Sequence, residues 1–303
     1  MKSQETIEEG RTSDRPCLAA LRKFLGGEYM TAVGLSEKTK DFLNEHNLYE
    51  DDEIQQIQLQ HRLSLAEAFN LPEGGRIVEI GCGQGDTTMA IAHTIGERGK
   101  VVAIDNASRD YGAPFTLGEA TDHILQSSLG ERISFHLGTD FTKFEVATPF
   151  DVAVFSHCSW YFKNPAELLG FFQRLRRLTK RVCFAEWDIQ FTEMAQRPHF
   201  CAVSILALYS QFVENENNVQ NLFTKSTIRQ LLEQAGFHIE KQTTVDATFL
   251  PDGQWEKSYA NSIRTEFIQA APQMEPLLTS YYDLMNESQD EELSLNSFVI
   301  TAT

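Results

Sequence analysis

No apolar run in the 303-residue chain approaches the roughly 18–20 residues that crossing a bilayer requires, so no membrane association is expected. Positive charge is scarce as well. Twenty-six Lys and Arg stand against 43 Asp and Glu, for a formal net charge of −17. A field of that sign repels phosphate backbones. The one basic cluster, Arg174-Leu175-Arg176-Arg177 with Lys180 and Arg181, is too short for a nucleic-acid footprint and reads as the exposed side and end of a helix. DNA, RNA and tRNA are therefore not expected partners. Cysteine is sparse: positions 17, 82, 158, 183 and 201 show no C-x-x-C and no zinc-like spacing. Reduced, mostly buried thiols and no metal site are expected. Residues 1–15 are polar and acidic-leaning, unlike a secretory or mitochondrial leader, which makes the cytoplasm the expected compartment.

What is present describes an ordinary globular chain, 42% hydrophobic and 23% charged. Residues 1–15 carry too few apolar groups to pack and are expected to fray. Residues 16–70 hold two or three helical segments, the clearest over Asp52–Phe69, where apolar residues recur at helical spacing. Leu71-Pro72-Glu73-Gly74-Gly75 breaks that helix and opens a domain over 71–303. There strands alternate with helices: strands Arg76–Ile80, Lys100–Asp105, Arg132–Leu137, Phe150–Ser156 and Arg181–Glu186; helices Thr87–Ile95, Glu119–Ser128 and Pro165–Arg177. The pattern predicts a parallel sheet covered on both faces with right-handed crossovers. An insertion at about 187–221 contains an aromatic-rich helical stretch, Phe200–Val213. A further helix, Thr224–Ala235, stops at Gly236. Strands over Phe237–Val245 and Leu293–Thr303 flank a second insertion, about 246–292.

The most informative stretch is Glu79-Ile80-Gly81-Cys82-Gly83-Gln84-Gly85-Asp86. A strand, a glycine turn and a helix in that order cradle a ligand with a ribose and an extended tail. Gly81, Gly83 and Gly85 let backbone approach that ligand with no Cβ in the way. The G-x-G-x-G spacing differs from the G-x-G-x-x-G of dinucleotide binders, and Asp86 would repel a pyrophosphate at the helix start. Asp105 ends the next strand, where an acid accepts both hydroxyls of a ribose. With E-x-G-x-G-x-G complete, the chain resembles the class I S-adenosylmethionine-dependent methyltransferases over roughly 77–184 plus the closing strands. The resemblance implies a Rossmann-like α/β fold, with a seven-stranded, mostly parallel sheet containing one antiparallel strand. It also implies S-adenosylmethionine as cofactor and S-adenosylhomocysteine as its product. By the same resemblance, Glu79 takes the cofactor's ammonium, Asp140 the adenine amino group and Phe141 the adenine ring. Cys82, Asn106 and Ser156 complete the expected cofactor site.

Strand four ends in Ser156-His157-Cys158-Ser159-Trp160-Tyr161-Phe162, where the family faces the acceptor. A neutral imidazole there can take a proton from a hydroxyl, so His157 is the candidate general base or acceptor-orienting group. Packing against the cofactor or a loop is the equally weighted alternative. Trp160, Tyr161 and Trp187 are candidate walls of an acceptor pocket, with His199 and Tyr209 of the insertion as weaker ones. A fixed aromatic wall favours a flat, apolar acceptor. Glu186 and Asp188 flank Trp187 without the third acid that a divalent metal would need. His61 lies on a helix that could close over the cofactor, while His46, His93, His123, His136 and His238 read as surface or strand residues with no argued role. The expected activity is methyl transfer to a small organic acceptor of natural-product type, oxygen favoured over nitrogen, under a helical cap that could serve a homodimer. Two other readings stay open. One is a binding protein of this fold that does not transfer methyl or that steers a rearrangement; the other is an NAD-dependent oxidoreductase.

Overall fold

The computed structural model describes residues 34–49, 52–112, 115–215, 217–287 and 291–303. The fraying expected over 1–15 and the first part of the 16–70 helical segment lie outside the described residues. Seven strands form one sheet: β1 (Arg76–Ile80), β2 (Lys100–Ile104), β3 (Ile133–His136), β4 (Phe150–Ser156), β5 (Thr179–Trp187), β6 (Ile239–Val245) and β7 (Ser297–Ala302). Their spatial order is β3-β2-β1-β4-β5-β7-β6. β7 runs antiparallel to both β5 and β6, while the remaining pairs are parallel. The sheet is that of a class I methyltransferase, with β7 as its one reversed strand.

The strands form where apolar runs can be buried on both faces: β4 and β7 are buried almost throughout. β6 lies at the edge, and its polar run of Glu240, Lys241 and Gln242 blunts that edge against further pairing. β1 and β4 pair with Ile80 opposite Phe155, which sets Gly81 beside Ser156 at the carboxyl edge. β2 stops at Ile104, one residue earlier than the apolar run suggests, so Asp105 leaves the ladder.

The helices are α1 (Glu37–His46), α2 (Glu53–Phe69), α3 (Asp86–Thr94), α4 (Leu117–Gln126), α5 (Pro165–Leu175), α6 (Arg197–Phe212), α7 (Lys225–Gln234), α8 (Asp252–Ser262), α9 (Arg264–Ala270) and α10 (Glu275–Asn286). Ser36, Asp52, Thr116, Asn164 and Thr224 cap five of them by accepting from the backbone N–H three residues on. α6 begins at Arg197 rather than Phe200 because Pro198 fits a first helical turn, where its missing N–H has no partner to lose.

α6 packs against α8 and α10, and the Phe267 ring of α9 meets Tyr209 and Phe212 of α6. The two insertions therefore close on one another as a single helical layer. α2 packs on α3 and also reaches β5, β6 and β7. Among the described residues, no helix is long and apolar enough to cross a membrane.

Candidate functional site

The three glycines of the turn are required for different reasons. Gly81 has φ +73, and a Cβ there would stand 2.6 Å from that of Cys158. Gly85, with φ +94, would drive a Cβ into Ile124 and Phe135. Gly83, with φ +54, has nothing within 4 Å of the Cβ position, so its backbone faces open space. That is the geometry of a cradle: two glycines set the turn and one presents it. Asp105 braces it, its Oδ2 accepting from Gly83 N–H at 2.8 Å and its Oδ1 from Ala107 N–H at 2.9 Å. A carboxylate oxygen has two lone pairs, so both remain able to receive ribose hydroxyls. Asn106 follows on the exposed side.

Glu79 is buried at the foot of this turn and accepts from the Thr88 hydroxyl. Burial pushes its carboxyl up to about 8, against the lowering effect of Thr88 and of the Arg62 charge. Arg62, on α2, is the unexpected member. Its Nε and Nη1 are buried without a hydrogen-bond partner, and its charge acts on Glu79, Glu186, His61, His157 and Asp252. Buried guanidinium donors without an acceptor are costly and mark a place for an anion. A buried acid and an unsatisfied arginine suit the ammonium and carboxylate of an amino-acid tail. Together with the open glycine and Asp105, this donor set fits S-adenosylmethionine.

Beside the cradle, β4 ends in a strained turn: His157 has φ +51, which non-glycine residues rarely adopt. Its Nε2 lies 3.1 Å from Ser297 Oγ, and the same hydroxyl lies 3.0 Å from His61 Nε2. His157 Nδ1 stands 3.3 Å from Glu186 Oε1 but out of hydrogen-bond alignment, so that nitrogen has no partner. Burial, then the nearby Arg62 charge, pushes both imidazoles well below their ordinary value, and they are neutral. Burial raises Glu186 to about 7, although it accepts from Ser159 N–H and Oγ and from Trp187 N–H.

Trp187 stands among these rings, stacked at 6.1 Å on His61 and edge-on to His157 and His199. His199 is tied into the cap. Its Nδ1 accepts from Leu295 N–H, so Nε2 carries the proton and donates to Glu256 of α8 at 2.7 Å. Trp160 is buried, and its indole N–H has no partner.

The remaining expected site residues fall in several places. Tyr161 is 50% exposed, at the surface rather than among the buried rings. Tyr209 is buried in the cap, where its ring meets Phe267 and its hydroxyl bonds Glu266; it packs the cap layer rather than lining a pocket. Phe141 turns into the core beside Phe171, under Arg174, because Asp140 caps a short 3-10 turn that points the ring inward. Asp140 accepts from Thr142 N–H and Oγ1 and pairs with Lys143 at 3.0 Å, which hold its carboxyl down at about 2. Ser156 is buried, accepting from Thr87. Cys82 is buried in the turn, its thiol pushed far up by desolvation. Arg62, Ser297 and Cys158 carry no motif. The one signal for Arg62 was a lone cation in a glutamine-rich helix.

The comparisons agree with the fold and the family. A family model for a methyltransferase domain matches residues 52–242. The crystal structure of a cyclopropane-fatty-acyl-phospholipid synthase-like protein from Lactobacillus casei superposes with a TM-score of 0.78 and 31% identity, covering 88% of this chain and 98% of that one. Two curated Diaporthe leptostromiformis proteins, the methyltransferases phomM and phomM', are each 30% identical over 139 residues, 39% of this chain and 36% of theirs. The chain thus spans about a third of the length of those curated relatives. With a match over more than half its length and a glycine cradle of the right form, the chain belongs to the methyltransferase-domain family, the class I S-adenosylmethionine-dependent methyltransferases.

Proposed function

We propose that the chain methylates a small organic acceptor, at oxygen in preference to nitrogen, in the buried chamber between the glycine turn and the helical cap. One observation carries this reading: a neutral imidazole, His157, with an unpartnered Nδ1 and a buried carboxylate 3.3 Å away, on the strand adjacent to the cradle. When bound, S-adenosylmethionine supplies an electrophilic methyl on a sulfonium whose thioether leaves without a proton. Gly83, Asp105, Glu79 and Arg62 would hold the cofactor. His157 Nδ1 receives the acceptor's proton, and Glu186 steadies the imidazolium that forms. Trp187 and Trp160 bound the chamber, and the layer of α6, α8 and α10 keeps water from it. A natural-product acceptor and a cytoplasmic setting belong to the same proposal, supported by the enclosed aromatic wall and by the fungal relatives.

The test is incubation with methyl-labelled cofactor and a panel of phenols, amines and unsaturated acids, read by mass spectrometry. Label on a phenol supports the proposal. Label on an amine alone refutes the preference for oxygen. Label on carbon of an unsaturated acid would favour chemistry of the kind the Lactobacillus casei synthase-like protein is named for. No label in any product, with S-adenosylhomocysteine still bound, would favour a binding protein. Binding of NAD instead would point to an oxidoreductase.

A further inference from the structure

Away from the chamber, on the α1 side of α3, Glu45, His46 and His93 bring one ligand atom each to within 4.8 Å of one another. Among the described residues, this is the one group of three or more His, Cys, Asp or Glu that converges in this way. His46 Nε2 and His93 Nδ1 are 3.0 Å apart. Glu45 Oε1 is 3.7 Å from the former nitrogen, and Oε2 is 3.9 Å from the latter. Around a tetrahedral ion with bonds of about 2.0–2.1 Å, neighbouring ligand atoms lie about 3.3–3.4 Å apart. The two nitrogens already stand close to that spacing, and the carboxylate of Glu45, on an exposed side chain, closes on both by rotating one oxygen between them.

We propose that Glu45, His46 and His93 bind a divalent transition-metal ion of the zinc class, with water completing the tetrahedron. Four features of the neighbourhood suit it. The donors, two imidazoles and one carboxylate, are those such ions take. His46 Nδ1 lies 2.6 Å from Ser128 Oγ, an outer partner that fixes the ring with Nε2 toward the ion. Phe42 packs edge-on against both rings, which stand at 86° to one another, so they converge from two helices. Both histidines sit in the last turns of their helices, where the negative ends of the helix dipoles favour a cation.

The contrary expectation from sequence rested on cysteine spacing and on acids near strand five. It could not see two histidines 47 residues apart. An ion here joins α1 to α3. Tyr49, two residues beyond the αL residue Asn47 that ends α1, already donates to Asp86 in the first turn of α3. Metal binding therefore steadies the helix that follows the glycine cradle.

The test uses untagged, chelator-stripped full chain, titrated with zinc chloride by calorimetry and with cobalt(II) by visible absorption. The expected result is one equivalent bound with micromolar or tighter affinity, a rise in Tm, and tetrahedral cobalt bands. His93→Gln and Glu45→Gln each weaken binding at least tenfold, while His123→Gln, at an exposed position, changes nothing. Because His46 is buried and its variant could misfold, His93→Gln is the deciding substitution. A wild-type chain that binds no zinc at millimolar concentration overturns the proposal, as does a His93→Gln variant that binds it unchanged. Neither outcome depends on methyl transfer.

Discussion

The hydroxyl of Ser297, the first residue of β7, lies 3.1 Å from Nε2 of His157, which follows the last residue of β4. A single O–H serves two imidazoles there, since His61 Nε2 is 3.0 Å away on the other side. It can donate to one and accept from the other, so the tautomers of the two rings are coupled.

Replacing His157 with Ala or Asn is expected to lower kcat by a factor of order 10²–10⁴, the range for loss of a general base. Steady-state rates at saturating acceptor measure it. Rates within a few-fold of wild type would falsify the base assignment. Ser297→Ala is expected to act more mildly on kcat and to cost about 1–3 kcal/mol of stability, because it leaves buried imidazole nitrogens unsatisfied.

Asp105→Ala is expected to weaken S-adenosylhomocysteine binding by about 1–3 kcal/mol, measured by calorimetric titration. The loss has two sources, because Asp105 also holds Gly83 N–H in place. Unchanged affinity would remove Asp105 from the ribose site.

Glu79 makes cofactor binding pH-dependent. Burial holds its carboxyl at about 8 in the ligand-free chain, so it is protonated at pH 7. A sulfonium and an ammonium beside it favour the carboxylate, and binding releases a proton. Affinity for S-adenosylmethionine is expected to rise from pH 6 to about pH 8 and then level off. Calorimetry in buffers of different ionisation enthalpy counts the proton, and Glu79→Gln should flatten the profile. Without ligand the sign is reversed. A carboxyl raised above its unfolded value of 4.5 stabilises the fold at low pH, and that contribution is lost as pH climbs through about 8.

Arg62→Met is expected to raise the Kd for S-adenosylhomocysteine at least tenfold, while decarboxylated S-adenosylhomocysteine, which lacks the carboxylate, loses nothing. If both ligands weaken equally, Arg62 serves the chamber's acids and not a carboxylate.

Much of the frame was legible in the sequence for definite reasons. β1 and β4 begin and end where their apolar runs do, because both are buried and both are bounded by residues that leave the sheet. The glycine turn and Asp105 are local signals: a turn needing positive φ, and an acid at a strand's end. The proposed acceptor side was only half legible. His157 and Trp187 stand at strand ends and Trp160 in the short 3-10 turn beyond β4, so they could be named as candidates. Ser297 could not, because it reaches His157 only after a reversed strand is placed between β5 and β6. Arg62 depends on how α2 lies across the sheet, which helical periodicity does not encode, and His61 was legible only as a residue on a helix able to close over the cofactor. Tyr161 and Tyr209 misled because aromatic residues near a site serve packing and surface as readily as binding.

The reversed direction of β7 also divides the molecule's maturation. The cradle, Asp105, Glu79 and Arg62 all lie within residues 62–105, so the cofactor half can assemble from one stretch of chain. The half proposed to handle the proton cannot, because its shared hydroxyl arrives only when the last strand is threaded between two others. A folding intermediate with β7 undocked would therefore hold the methyl donor while lacking its coupled imidazole pair. If the proposed function holds, docking of that strand, with the cap insertion that precedes it, would be the step that converts a binder into a catalyst.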